Sequence, residues 1–443
     1  MSAAGARPAP REVTHRRVLG IALPIVLSNA TVPILGVVDT GVVGQLGEAA
    51  PIGAVGLGAI VLASAYWVFG FLRMGTVGLA GQALGEGDGP ETAAILTRAL
   101  LIAGAAGTAL IALQWPIFAG AMALSQGEAE VEALAREYMA IRIWSAPAAI
   151  ALYGITGWLI AQERTRAVLV LQVWMNGLNV GLDLLFVLGL GWGVGGVATA
   201  TLIAEWSALG LGLWQCRGAF AGTAWREGAR VFDRARLARL GAVSGDILIR
   251  SVLLQLIFTS FLFLGAGLST VELAANQVLL QFLYVTAYAL DGFAFAAEAL
   301  VAQALGARRR ALLRRAAVVT SGWGLASVVA MSLAFALFGG AIVDLMTTAP
   351  AVRAEARHYL GWMVAAPLVG VAAWMLDGIF IGATQTRDMR DMMVVSFAAY
   401  VLAVLVLLPA LGNHGLWAAL LISFAVRGIT LGLRYPRIEA RAA

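Results

Sequence analysis

Long apolar runs alternate along this chain with short breaks rich in glycine, proline or charge. A membrane-spanning helix needs about 20 mostly apolar residues, and more when tilted. Twelve runs qualify: 16–43, 51–82, 92–118, 132–161, 165–189, 194–216, 237–265, 271–304, 312–340, 352–383, 389–411 and 414–434. The first, fourth, eighth and tenth exceed what a bilayer needs, which predicts tilting or bending. The first run is too long for a cleavable signal peptide. No polar stretch is long enough for a soluble domain, so the pattern predicts an all-α, multi-pass membrane protein.

The arginines give the orientation. With the N-terminus in the cytoplasm, Arg7, Arg11, Arg16 and Arg17 lie inside, as do six arginines of 217–239 and five of 306–315. Arg387, Arg390, Arg434, Arg437 and Arg441 follow them, while the outward connections hold only Arg136, Arg353 and Arg357. This is a positive-inside distribution, and it predicts cytoplasmic termini in a bacterial-type plasma (inner) membrane. It also explains the net charge of +5 without nucleic acid as a partner.

The two halves repeat. Gln82-Ala83-Leu84-Gly85 recurs as Gln303-Ala304-Leu305-Gly306, Arg136 and Tyr138 as Arg357 and Tyr359, and Thr165-Arg166 as Thr386-Arg387, always 221 residues later. Six spans per half start both halves on the same side, giving parallel repeats about a pseudo-twofold axis along the membrane normal, an arrangement found in secondary transporters. The expected organisation is twelve transmembrane helices in two six-helix lobes, 1–216 and 237–443, joined by a cytoplasmic linker at 217–236.

Composition narrows the chemistry. Only 12% of the 443 residues are charged and 60% are hydrophobic, against about 25% and 45–50% in soluble domains. Every basic residue except histidine is arginine. The absence of lysine excludes a Walker A motor and Schiff-base chemistry. The single cysteine, Cys216, excludes internal disulfides and cysteine zinc sites. His15, His358 and His414 have no partner at metal-ligand spacing in sequence. Gly191-x-Gly193-x-x-Gly196 fits a dinucleotide fingerprint literally, but lies between spans without βαβ context. No cofactor and no enzyme activity are expected: GxGD-type aspartates, a Ser/His dyad and HExxH are all missing. A channel assembled from identical chains is made unnecessary by the internal repeat, and a monomer is expected.

Ionisable groups inside spans are costly and by default mark function. They are Asp39, Asp183, Glu205, Asp246, Asp291, Glu298 and Asp377, with Arg73, Arg142, Arg250 and Arg427. Asp246 and Arg250, four apart, are expected to form a structural ion pair. Arg73 and Arg427 can snorkel, and Arg142 and Glu205 can each be satisfied by a neighbouring helix. Asp39 follows Pro24 and Pro33, which predict a bent first helix. Asn176, Asn179 and Asp183 share one helix stripe; Asp291 and Glu298 share another. None of these acids repeats: Asp39 maps to Ser260, Asp183 to Val404 and Asp377 to Thr156.

These residues together resemble the multidrug and toxic compound extrusion (MATE) transporters, nearest the DinF-like branch. The likeness runs through Leu23-Pro24 to Val38-Asp39-Thr40, Phe71-Leu72-Arg73-Met74-Gly75-Thr76, Asn179-x-x-x-Asp183 and Ala204-Glu205-Trp206. It continues through Asp246-Ile-x-x-Arg250, Ala287 to Phe293, and Leu376-Asp377-Gly378 to Gly382-Ala383-Thr384. The resemblance implies a cation-coupled antiporter working by rocking of two lobes. It carries the family's N-lobe cation site onto Asp39, Asn179, Asp183 and Thr201, and helix bending onto Pro24 and Pro33. Family members that bind Na⁺ in the C-lobe use acids of the seventh and tenth spans; here Asp377 matches, while Asp246 lies too near the cytoplasm. Asp291, Glu298 and Asp377 are the C-lobe polar or substrate candidates.

The function expected is efflux of amphipathic, cationic organic compounds in exchange for protons. Na⁺ is the alternative coupling ion, at Asp39 and Asp183. The alternative function is a flippase for lipid-linked saccharides or other lipid-like substrates, which favours a cationic central cavity. The partners expected are small organic substrates and the lipid bilayer.

Overall fold

The computed structural model describes residues 12–31, 38, 41–45, 48–125 and 128–442. Pro33 and Asp39 lie outside the described residues. Among the described residues eleven helices are long and apolar enough to cross a membrane. The expected first span runs across residues that are not described.

The helices are α1 (His15–Ala30), α2 (Ala49–Trp67), α3 (Phe71–Glu86), α4 (Gly89–Ala112), α5 (Gln114–Leu124), α6 (Ala129–Arg142), α7 (Ala146–Ala161) and α8 (Thr165–Asp183). There follow α9 (Gly193–Gln215), the short α10 (Gly228–Val231), α11 (Arg234–Ala266), α12 (Thr270–Gly306), α13 (Arg310–Met346), α14 (Pro350–Gly382), α15 (Thr386–Leu411) and α16 (Asn413–Arg441). Single 3₁₀ turns join α2 to α3 and α6 to α7.

The chain divides into two compact units. One holds Leu27–Ala80 and Asp88–Leu237; the other holds the described part of Met1–Val26, with Gly81–Gly87 and Ala238–Ala443. Within the first, α2 packs on α6, α4 on α7 and α8 on α9, while α9 also lies against α6 and α7. Within the second, α12 packs on α14, α13 on α14 and α15 on α16, while α16 also lies against α14. The same pairing is therefore built twice. The backbone repeats too: φ is positive at Gly87 and Arg308, at Glu163 and Thr384, and at Gly191 and Gly412. Each pair is 221 residues apart, so the turns that end equivalent helices share their geometry.

Lipid is as apolar as leucine, so helices in a membrane associate through close packing rather than through hydrophobic burial. Small residues supply that closeness. A Cβ on Gly157 would stand 2.4 Å from the Arg73 carbonyl oxygen, and one on Gly107 2.4 Å from Pro147. On α14, Gly378 and Gly382 present their backbone to the carbonyls of Ala294 and Glu298 of α12. Large side chains such as Trp115, Phe263, Leu345 and Leu433 are left exposed, as lipid-facing positions are. The repeated Gln-Ala-Leu-Gly motif has a packing role: Gly85 abuts the Gln303 carbonyl and Gly306 the Gln82 carbonyl. Its glutamines are tied crosswise, Arg239 donating to Gln82 Oε1 at 2.6 Å and Arg17 to Gln303 Oε1 at 3.2 Å.

Candidate functional site

Helix α8 carries the polar stripe of the first unit. Asn176, Asn179 and Asp183 follow at spacings of three and four, which places them on one face, and all three are buried, Asp183 completely. Asn179 Nδ2 donates to Thr201 Oγ1 at 3.2 Å, and that hydroxyl donates onward to the Val197 carbonyl within α9. The buried Asn179 Oδ1 has no hydrogen-bond donor among the described residues. Asn176 Nδ2 donates to Thr31 Oγ1 at 2.9 Å, and Asn176 Oδ1 accepts from Gln172 Nε2. The stripe is thereby fastened to the residue that follows α1. Directly after Asp183 the helix widens into a π-helical turn, Leu184–Gly189. Such widenings concentrate at functional sites, and no residue pattern in the sequence announced this one. Asn179, Thr201 and Asp183 thus lie on adjoining helices; Asp39 lies outside the described residues.

Two further in-span charges of this unit, Arg142 and Glu205, pair with each other. Arg142 Nη1 donates to Glu205 Oε2 at 2.7 Å and to Ser145 Oγ at 2.6 Å, while Tyr66 donates to the Arg142 carbonyl. Both charges are thereby neutralised between helices.

In the second unit the expected Asp246–Arg250 pair does not form. Arg250 binds Asp377 of α14, and Asp246 instead accepts from Arg390 Nη1 at 2.6 Å and from the Thr386 hydroxyl at 3.0 Å. The i,i+4 rule is overridden because Asp377 lies deeper, where an uncompensated charge costs more. A second guanidinium, Arg427, approaches Asp377 at 3.8 Å and is itself buried, so Arg427 does not snorkel. One carboxylate thus faces two arginines, a net positive cluster that opposes a further cation. Asp291 is half-buried and Glu298 buried, both on α12. Pro24 lies inside α1. Cys216, at the end of α9, is completely buried.

The MatE family model matches this chain twice, over residues 24–185 and 247–408. The chain belongs to the MATE family. The double match falls on the two halves of the repeat. DNA damage-inducible protein F of Escherichia coli is 41% identical over 431 residues, covering 94% of this chain and 91% of that protein. A probable multidrug resistance protein NorM of Pseudomonas aeruginosa is 25% identical, covering 98% and 91%. Among solved structures, an outward-facing multidrug resistance MATE family transporter superposes with a TM-score of 0.86 at 17% identity, over 96% of each chain. The Vibrio cholerae MATE transporter VcmN in its bent form gives 0.85 at 18% identity, over 97% of each. As a MATE protein the chain is a multi-pass membrane transporter driven by an ion gradient. The lipid-linked saccharide flippase finds no support among these relatives.

Proposed function

We propose that this protein exports amphipathic organic cations in exchange for protons, with Asp183, Asn179, Thr201 and Asp39 forming the coupling site. The observation that carries this reading is the buried stripe on α8. It holds a fully buried carboxylate and, one turn away, an amide oxygen that lacks a donor among the described residues, beside the Thr201 hydroxyl. Protonating a buried carboxylate removes a charge whose desolvation is costly, so proton binding and release at Asp183 is a natural trigger for rearranging α8. The repeat supports including Asp39. Its equivalent, Ser260, hydrogen-bonds at 3.2 Å to Tyr400, the equivalent of Asn179.

Protons are preferred over Na⁺ because the second unit offers its acids to arginines: Asp377 to Arg250 and Arg427, Asp246 to Arg390. Each proton moving inward releases about 2.3 kcal/mol per 100 mV of membrane potential. Asp291 and Glu298 on α12 are the acids proposed to attract cationic substrates. The halves 1–216 and 237–443, joined by 217–236, serve as the two lobes in this reading, and helix bending at Pro24 and Pro33 is the proposed coupling step. Both termini face the cytoplasm of the inner membrane, and the monomer is the working unit.

The test is export from proteoliposomes under an imposed pH or Na⁺ gradient. A pH gradient alone is expected to drive wild-type transport, and Asp183→Asn to abolish it while leaving the protein folded. Transport driven by Na⁺ alone at symmetric pH, or an active Asp183→Asn, refutes the proton assignment.

A further inference from the structure

At the start of α13 five arginines occur within eight residues: Arg308, Arg309, Arg310, Arg314 and Arg315. Among the described residues, two carboxylates answer them. Glu439 of α16 accepts from Arg310 at 3.1 Å and stands 3.8 Å from Arg314, and Glu12 lies 3.3 Å from Arg315. The cluster keeps a net charge of about three positive units on that count. Glu439 is buried while the arginines on it remain largely exposed, 59% for Arg310 and 71% for Arg314. Their guanidinium faces are therefore open to a second anion.

That open face borders a cavity of about 630 Å³ between α13, α14 and α16. Arg310, Arg314 and Glu439 line its polar end, and Val318, Leu376 and Ile379 line its apolar wall. Val318 is 63% exposed. The site is amphipathic: positive charge adjoins an apolar wall on membrane-spanning helices. A small soluble anion would use only the first part, and a neutral lipid only the second.

We propose that this cavity binds an anionic glycerophospholipid, its phosphate against Arg310 and Arg314 and an acyl chain along Val318 and Leu376. Basic clusters at the cytoplasmic ends of spanning helices recognise anionic lipids in this way, each arginine contributing about 1 kcal/mol, or roughly fivefold in affinity. Placing the cavity in the inner leaflet rests on the cytoplasmic topology proposed above; the headgroup chemistry does not.

The experiment uses the delipidated full chain in neutral detergent, so it depends on neither transport nor topology. Native mass spectrometry reads the affinity of phosphatidylglycerol, of phosphatidylcholine with the same acyl chains, and of inorganic phosphate. Phosphatidylglycerol is expected to bind at least fivefold tighter than phosphatidylcholine, with phosphate failing to compete at equal concentration. Arg310→Gln/Arg314→Gln is expected to weaken phosphatidylglycerol roughly 25-fold, while Arg217→Gln/Arg226→Gln, outside the cavity, leaves it unchanged. Equal binding of both lipids, competition by phosphate alone, or equal losses in both double variants overturns the proposal. A Tm for each variant near that of the wild type confirms that folded protein is being compared.

Discussion

Replacing Asp377 by asparagine separates a structural carboxylate from a cation site. Asp377, Arg250 and Arg427 are all buried, and their charges sum to one positive unit when each is ionised. At 3.8 Å and an effective dielectric constant of about 20, Arg427 alone gains about 4 kcal/mol of Coulomb attraction from Asp377. Much of that only offsets desolvation, so the quantity to predict is the cost of removing one partner, about 3–5 kcal/mol for a buried pair. Asparagine keeps an acceptor for Arg250, which puts Asp377→Asn near 3 kcal/mol, the low end of that range. At about 2–4 °C per kcal/mol for a unit of roughly 200 residues, the Tm in detergent should fall by about 6–12 °C. Arg427→Met added to Asp377→Asn removes one stranded charge and should restore part of the loss. A Tm change under about 2 °C, or a Na⁺-dependent rise in wild-type Tm that Asp377→Asn abolishes, would refute the structural reading and make Asp377 a cation ligand.

Gly306→Ala would set a Cβ 2.0 Å from the Gln82 carbonyl oxygen, and Gly85→Ala one 2.1 Å from that of Gln303. Each is expected to cost about 1–3 kcal/mol through overpacking, read as a lower Tm, whereas Gly104→Ala meets nothing within 4 Å and should leave the Tm unchanged or slightly higher. Arg142→Gln strands Glu205 and should destabilise by about 2 kcal/mol or more, with Glu205→Gln in the same chain recovering most of it, since a lost partner costs more than a lost pair. Cys216 is completely buried. Because only the thiolate reacts, maleimide labelling between pH 7 and 9 should be slow until the protein is denatured.

What the sequence revealed and what it hid divide along a physical line. The spans and the repeat were legible because they rest on local properties: apolar run length and the turn residues that end helices. The equivalence of Glu163 with Thr384, or of Gly87 with Arg308, needs no tertiary contact to be encoded. Charge pairing was not legible, because it is decided by depth. Asp246 and Arg250 satisfied the local rule for a helical pair, yet each found a partner more than a hundred residues away. The π-helical turn after Asp183 was equally hidden, since it changes backbone hydrogen bonding without a distinctive residue pattern.

The repeat also explains why the chemistry is not repeated. Positions 221 residues after Asn179, Asp183 and Thr201 hold Tyr400, Val404 and Ile422, while those before Arg250, Asp377 and Arg427 hold Asn29, Thr156 and Trp206. Duplicated helices therefore present the same buried places, but one half fills them with an amide, a hydroxyl and a buried acid, the other with a carboxylate neutralised by guanidiniums. A carboxylate facing two arginines is committed to them. It favours a fixed structure, because removing it would leave two buried cations without a counter-ion. This commitment of Asp377 to arginines, more than the mere presence of acids in spans, is why coupling is proposed for the first half.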